Sequence, residues 1–231
     1  ELQKARHKNL DRIARRGDAG LAQIADEGDT PGSGPGHMEI FGYDSYVYTP
    51  GRGILDAMGE GIALLPGDVV ARVNFATMKN GLITDRRAGR IETEKAKKVV
   101  EDALQGMAID GVEAIVQITK EYRGVLILRG GTGMSAKLTD SDPGKEDLPA
   151  RKVEAKSPDA EKTAALANKV VEEAQRRLAE YNHPTVNAML LRSWDELVML
   201  PSFTEVYRLT PAAVAVYPAY KGIAKAVGMD I

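Results

Sequence analysis

Between Gly67 and Met78 the sequence GDVVARVNFATM alternates, and Val69, Ala71, Val73 and Phe75 fall on one face of a strand. KNGLITDRRAGRI follows and opens on Asn-Gly, a pair that tolerates the positive φ angles of a tight hairpin. A helix is predicted from Thr93 and Glu94 to about Leu104. VEAIVQI and RGVLILRG are β-branched runs separated by the charged turn TKEY. The middle of the chain therefore reads as α+β with hairpins.

The flanks carry other periods. Leu2, Ala5, Leu10, Ile13 and Ala14 recur at helical spacing and predict a helix over 1–16, stopped by Gly17. GLAQIA is a short strand candidate. The turn TPGRG precedes a short helix in ILDAMGEGI. Residues 139–157 are polar and contain Pro and Gly; a loop of that length in a compact domain is often functional. Ser157 is placed as an N-cap, with Pro158 at the first position of the longest helix, which runs to about Tyr181. TVNAMLLRSW and AAVAVYP read as strands and AYKGIAKAVG as a helix, so the tail has an α/β alternation. No internal repeat is visible.

Composition narrows the function classes. The 231 residues carry a net charge of −2, so no basic field points to nucleic acid. Apolar residues make up 43%, enough for a real core. There is no cysteine, which removes disulfides and thiolate metal sites and fits a reducing, cytoplasmic setting. AAVAVYPAY is far too short to span a bilayer, and no signal-peptide pattern opens the chain. The chain begins at Glu1 inside a helical pattern and ends at GIAKAVGMDI, where a helix runs into a strand. Both ends read as those of a piece of a longer protein.

Two stretches carry candidate chemistry. In DTPGSGPGHMEIFGYD, Ser33 stands among Gly32, Gly34 and Gly36. The plain reading is an N-cap, with Pro35 in the first turn. The glycines suit a second reading, in which the backbone bends to let a ligand approach. Helix N–H groups would then stabilise a phosphate on the serine oxygen. His37 is ambiguous alone; a single histidine is more often a hydrogen-bonded structural residue than a catalyst. The second stretch holds Arg72, Arg86, Arg87 and Arg90 around one hairpin, with Arg123 on a later strand edge. They are either a solvated charged face or a grip on a small dianion, since guanidinium groups hold carboxylate and phosphate bidentately. Asn74 and Asp85 lie nearby, and Asp85 is expected to orient one guanidinium.

TPGSGPGHMEIFGYD, GRGILDAMGEGIALLPGDVVARVNFAT and TDRRAGRI together closely resemble the archaeal-type, cofactor-independent phosphoglycerate mutase family. LTDSDPG, NAMLLR, LPSFTEVY and YKGIAKAVGMDI match in the same order, and KNLDRIARRG resembles the helix after the family's first strand. The resemblance covers essentially the whole chain. It implies an α/β fold: a partial alkaline-phosphatase-like core (residues 1–60 and 184–231) and a smaller α+β insertion domain (61–183).

The resemblance also implies roles. Ser33 would be the nucleophile that becomes phosphorylated, and a ligand of one of two divalent metals (manganese, zinc or magnesium). No 2,3-bisphosphoglycerate would be needed. Arg72, Asn74, Asp85, Arg86 and Arg87 would bind the substrate, with Arg192 and Lys221 beside them. Without the resemblance, Arg192 could cap a strand end and Lys221 could be a surface charge. The implied activity interconverts 3- and 2-phosphoglycerate, a step of glycolysis and gluconeogenesis. The partner is a small phosphorylated substrate, with no nucleic acid and no membrane, and oligomer formation stays open. The remaining metal ligands would lie outside this chain, so residues 1–231 alone are expected to be inactive. Tyr122-Arg123 stands where relatives often have His-Arg. Two other readings remain open: a homoserine-kinase-like phosphotransferase acting on another small alcohol, and a non-catalytic binding descendant.

Overall fold

A computed structural model describes residues 4–18, 20–197 and 199–231. Its centre is one antiparallel sheet. Strand β1 (Val69–Lys79) turns through Asn80 and Gly81, both at positive φ, into β2 (Leu82–Asp85). After helix α5 (Thr93–Leu104) come β3 (Met107–Ile109), β4 (Val112–Lys120) and β5 (Arg123–Arg129). The long helix α6 (Glu161–Tyr181) leads to β6 (Ala188–Glu196). The order is β2-β1-β5-β4-β3, with β6 also paired to β1. The division expected at 183/184 falls between α6 and β6, yet β6 pairs with β1 from Ala188 to Glu196.

The alternation in β1 has the meaning read from the sequence. Val69, Ala71, Val73 and Phe75 face one core, which α5 closes with Ala96, Val99, Val100 and Leu104. Helix α6 adds Leu166, Val170, Ala174 and Leu178, spaced by four residues along one face. The other face of β1 is not uniformly apolar. Val70 enters a cluster with Ile54, Val125 and Ile127, and Ala76 one with Ile83, Ala188 and Leu190. Between these two apolar patches stand Arg72 and Asn74. β1 is buried on both faces, so a polar pair there must be satisfied from above the sheet.

Before the sheet lie α1 (Lys8–Arg16), α2 (Ser33–Ile40), α3 (Ser45–Tyr48) and α4 (Arg52–Gly59); after it lie α7 (Phe203–Tyr207) and α8 (Pro218–Ala226). Helix α4 joins the two parts. A Cβ on Gly53 would sit 3.3 Å from the backbone of Ala71 in β1. On another side of α4, Cβ atoms on Gly59 and Gly222 would overlap the carbonyl oxygens of Pro218 and Leu55. Only glycine permits that approach of α4 to α8.

Several expectations are corrected. The first helix is shorter, starting at Lys8, and Leu2 lies outside the described residues. GLAQIA forms no strand; Leu21 is fully exposed and has no sheet beside it. AAVAVYP contributes one parallel bridge, Ala212 to Asp230, rather than a strand. Ser157 occupies the expected place before Pro158 but makes no side-chain cap bond, and a 3-10 turn (Pro158–Ala160) precedes α6.

The long loop between β5 and α6 is tied down by its own backbone. Thr139 N–H donates to Glu154 O at 2.9 Å and Lys156 N–H to Lys137 O at 2.8 Å. Ser141 N–H donates to Leu191 O in β6 at 2.8 Å, and Ile83 N–H in β2 to Leu148 O at 2.9 Å. The loop therefore spans from β6 to β2 and has little freedom to move as a flap.

Candidate functional site

Strand register explains where the charges meet. Arg72 on β1 lies opposite Arg192 on β6, and Asn74 on β1 opposite Arg123 on β5. Residues 72 and 74 share a face, so three strands present these four side chains to one side of the sheet. They line a cavity of about 260 Å³. Arg86 and Arg87 reach it from the segment after β2, and Tyr122 from the turn before β5. Arg52, at the start of α4, and Tyr217, just before α8, complete the wall.

Carboxylates hold part of this charge. Arg86 makes a bidentate fork to Asp142, with Nε to Oδ1 and Nη2 to Oδ2 both 2.8 Å. Arg192 Nη1 approaches the same carboxylate at 3.7 Å. Arg72 Nε forms an ion pair with Asp56 Oδ2 at 3.2 Å. Arg123 lies 3.7 Å from Glu121, donates to the Tyr122 hydroxyl at 3.0 Å and covers its ring at 4.7 Å. Arg52 donates to the Tyr217 hydroxyl at 3.4 Å. The Nε of Arg192 is buried and has no hydrogen-bond partner.

Six guanidinium groups thus face three carboxylates. Like charges on adjacent strands repel. Burial lowers the pKa of Arg72, Asp56 opposes this, and Arg52 and Arg192 press in the same direction as burial. For Asp56, burial pushes the pKa up, and this outweighs the pull of Arg72 and Arg52. For Asp142 burial also pushes up, but the fork from Arg86, the N–H of Gly144 and the charge of Arg192 together hold it below the usual value.

The sequence candidates separate into two groups. Arg72, Asn74, Arg86, Arg87 and Arg192 come together at the cavity, as Arg123 does. Asp85 does not orient a guanidinium. Its carboxylate accepts from the backbone N–H groups of Arg87 at 2.7 Å and Gly89 at 2.6 Å, fixing the turn over 88–90, where Ala88, Gly89 and Arg90 all have positive φ. Ser33 and Lys221 are not among the lining residues.

Ser33 is exposed and is the first residue of α2 rather than its cap, which is Gly32. Gly32 O accepts from Gly36 N–H at 2.9 Å. Pro35, third in the helix, has no N–H, so Ser33 and Gly34 supply the free donors of the first turn. The His37 ring donates from Nδ1 to Ser33 O at 2.7 Å and stacks on Tyr220 of α8, 5.0 Å between centroids. Among the described residues, no group of three or more His, Asp or Glu could hold a metal ion.

Sequence reasoning missed Arg52, Asp56, Asp142 and Tyr217. One signal was available: Arg52 and Asp56 are four apart in a short helix and so share a face. Asp142 lay inside the long polar loop singled out by its length.

The fold is α/β, and its arginine-lined cavity is strongly polar. The family model described as 2,3-bisphosphoglycerate-independent phosphoglycerate mutase matches residues 14–185. A probable 2,3-bisphosphoglycerate-independent phosphoglycerate mutase from Thermus thermophilus is 42% identical over all of this chain and 57% of its own length. A protein of the same description from Thermosipho melanesiensis is 43% identical over the same shares. Among solved structures, the cofactor-independent phosphoglycerate mutase from Thermoplasma acidophilum superposes with a TM-score of 0.66 at 35% identity, covering 84% of this chain and 55% of that one. A Pyrococcus horikoshii protein gives 0.63 at 25% identity, over 87% and 47%. The chain belongs to the 2,3-bisphosphoglycerate-independent phosphoglycerate mutase family. It spans little more than half the length of the curated relatives it matches. No helix among the described residues is long and apolar enough to cross a membrane.

Proposed function

We propose that this chain is the substrate-gripping portion, with the nucleophile, of a phosphoglycerate mutase that interconverts 3- and 2-phosphoglycerate in the cytoplasm. The observation that carries the reading is the cross-strand pair Arg72 and Arg192 on the wall of a cavity lined by six arginines. Two guanidinium groups directly opposite each other on adjacent strands repel; Asp56 and Asp142 offset part of that, and a bound anion would offset more. Phosphoglycerate supplies a phosphate dianion and a carboxylate, which suits six guanidinium groups against three carboxylates.

In this reading Ser33 Oγ attacks phosphorus, the ester P–O bond breaks, and the glycerate oxygen takes up the proton. Arg72, Asn74, Arg86, Arg87, Arg123 and Arg192 hold the glycerate while it turns. Its other hydroxyl then attacks the phosphoserine and returns the proton to the Ser33 oxygen. The cavity thus prevents the loss of the acceptor to water. Lys221, on the helix stacked against α2, is assigned to the phosphoryl side. Two divalent metals would supply charge neutralisation. The described residues do not by themselves fit such a centre, since Ser33 has no cluster of ligands beside it. In this reading the helices before and after the sheet belong to the part with Ser33, and the sheet with α5 and α6 is the insertion; the pairing of β6 with β1 supports a second boundary near 197 rather than 183.

The test is Ser33→Ala in the chain completed to the length of its relatives. Turnover of 3-phosphoglycerate is expected to vanish while the circular dichroism spectrum and Tm stay unchanged. A variant that keeps most of its turnover overturns the assignment. Turnover of homoserine with a phosphoryl donor in place of phosphoglycerate would replace the substrate.

A further inference from the structure

Asp142 lies outside the strands that carry the arginines. It comes from the long loop after β5, which is fastened on both sides of it. Ser141 and Leu191 exchange two bonds, Ser141 N–H to Leu191 O and Leu191 N–H to Ser141 Oγ, both 2.8 Å. Arg151 N–H donates to Ser141 O at 2.9 Å, and Arg151 Nη2 to Pro143 O at 3.1 Å. The Asp142 side chain is 3% exposed, and its Oδ1 also accepts from Gly144 N–H at 2.9 Å. A carboxylate this immobile fixes whatever it binds.

It binds one arginine by a fork and faces a second. Both donors on one edge of Arg86 go to Asp142, so its remaining N–H groups are left for a ligand, in one orientation. Arg192 approaches the same oxygen, Oδ2, that Arg86 Nη2 uses. Arg86 is on the segment after β2 and Arg192 on β6, so a single carboxylate sets the spacing of two guanidinium groups from different elements.

We propose that Asp142 is a positioning residue that locks Arg86 and Arg192 into one rigid anion-binding pair, so that the loop after β5 determines how the cavity orients a phosphate or carboxylate. The proposal rests on the reading of the cavity as an anion site. Another pair in the same protein separates this role from a structural one. Asp68 makes the same fork to Arg129, with distances of 3.0 and 2.6 Å and 2% exposure, but neither residue lines the cavity.

The experiment compares Asp142→Asn with Asp68→Asn in the 231-residue chain, reading binding of inorganic phosphate and of 3-phosphoglycerate by calorimetry. Asn keeps the size but cannot accept a bidentate charged fork. Asp142→Asn is expected to weaken binding of both ligands by roughly tenfold or more. Asp68→Asn is expected to lower Tm and leave both affinities within about twofold of the wild type. Equal effects of the two variants, or unchanged binding in Asp142→Asn, overturn the proposal, as does a wild type that binds neither anion. Binding of phosphate without selectivity for 3-phosphoglycerate, lost in Asp142→Asn, would sustain the positioning role and count against the mutase reading. A measurement without any variant guards against an unfolded Asp142→Asn. The Nε proton of Arg86 in the wild type is expected to exchange slowly with water and to shift on phosphate addition. A rapidly exchanging, unshifted Arg86 Nε proton overturns the proposal.

Discussion

Arg72 Nε is ion-paired with Asp56 Oδ2 at 3.2 Å, and the two residues belong to different elements, strand β1 and helix α4. Their side chains are 13% and 8% exposed, so water screens the pair little. The contact seats α4 over the polar gap in the sheet and brings Arg52, one helical turn before Asp56, to the cavity wall. It also neutralises one of the two guanidinium groups that face each other across β1 and β6.

Removing the carboxylate is therefore expected to cost more than losing a surface ion pair. Asp56→Ala leaves Arg72 buried beside Arg192 with no counter-charge, and should lower unfolding stability by about 3 kcal/mol. Asp56→Asn, which keeps a hydrogen-bond acceptor, should lose less. Urea unfolding of both variants checks this; an unchanged midpoint for Asp56→Ala would mean that solvent reaches the pair freely.

Arg86 and Arg87 are adjacent in sequence, but the structure makes them unequal. Arg86 is half-buried and forked to Asp142, whereas Arg87 is exposed and follows the turn set by Asp85. In the completed chain, Arg86→Lys should raise KM for phosphoglycerate by roughly tenfold, because an ammonium cannot serve the fork and the ligand together. Arg87→Lys should change KM by about threefold or less, since a point charge can replace an exposed guanidinium there. Steady-state kinetics give both numbers, and the reverse ranking would contradict the assignment of the fork.

The sheet was legible because its strands obey local rules. β1 alternates, Asn80-Gly81 turns, and β4 and β5 are β-branched runs around a charged turn. What failed needed tertiary information. GLAQIA and AAVAVYP have strand composition, but β-propensity acts only with a partner strand alongside, and Ala212 finds one bridge. At the cavity, the arginines were readable as a cluster along the chain. Asp142 and Asp56 were not, because each reaches its arginine from a segment far away in sequence. Asp85 was misassigned for the opposite reason: it is close to the arginines in sequence, and short-range backbone N–H groups capture its carboxylate first.

The two aspartates paired with cavity arginines, Asp56 and Asp142, should titrate on opposite sides of 3.8, the ordinary aspartate value. Burial raises Asp56, so its ionised form is disfavoured in the fold; that cost is present at neutral pH and is relieved as pH falls through the raised value. Asp142 is lowered because the Arg86 fork and its other donors outweigh burial. Its contribution is complete above the unfolded value and is lost only as pH falls through the lower folded one. Carboxyl carbon shifts followed by NMR between neutral and strongly acidic pH should show Asp56 protonating first and Asp142 last. The opposite order would mean that the Asp142 fork is not formed in solution.

Gly222→Ala tests whether the two parts of the molecule are coupled through α4. In an isolated helix the change would be favourable by about 1 kcal/mol. Here the added Cβ would overlap the Leu55 carbonyl oxygen, and backbone cannot swing aside as a side chain can. The helices must separate, and overpacking of this severity costs about 3 kcal/mol or more, so destabilisation wins. Gly20→Ala serves as the control, because nothing lies within 4 Å of its Cβ position. Thermal unfolding should show a clear fall in Tm for Gly222→Ala and none for Gly20→Ala. The same displacement moves α4 away from β1, and with it Arg52 and Asp56. Phosphate affinity at the arginine cavity should therefore weaken in Gly222→Ala although residue 222 does not line it. A variant with lowered Tm and unchanged phosphate affinity would show that α4 stays on the sheet by itself, and that α8 contributes stability without shaping the site.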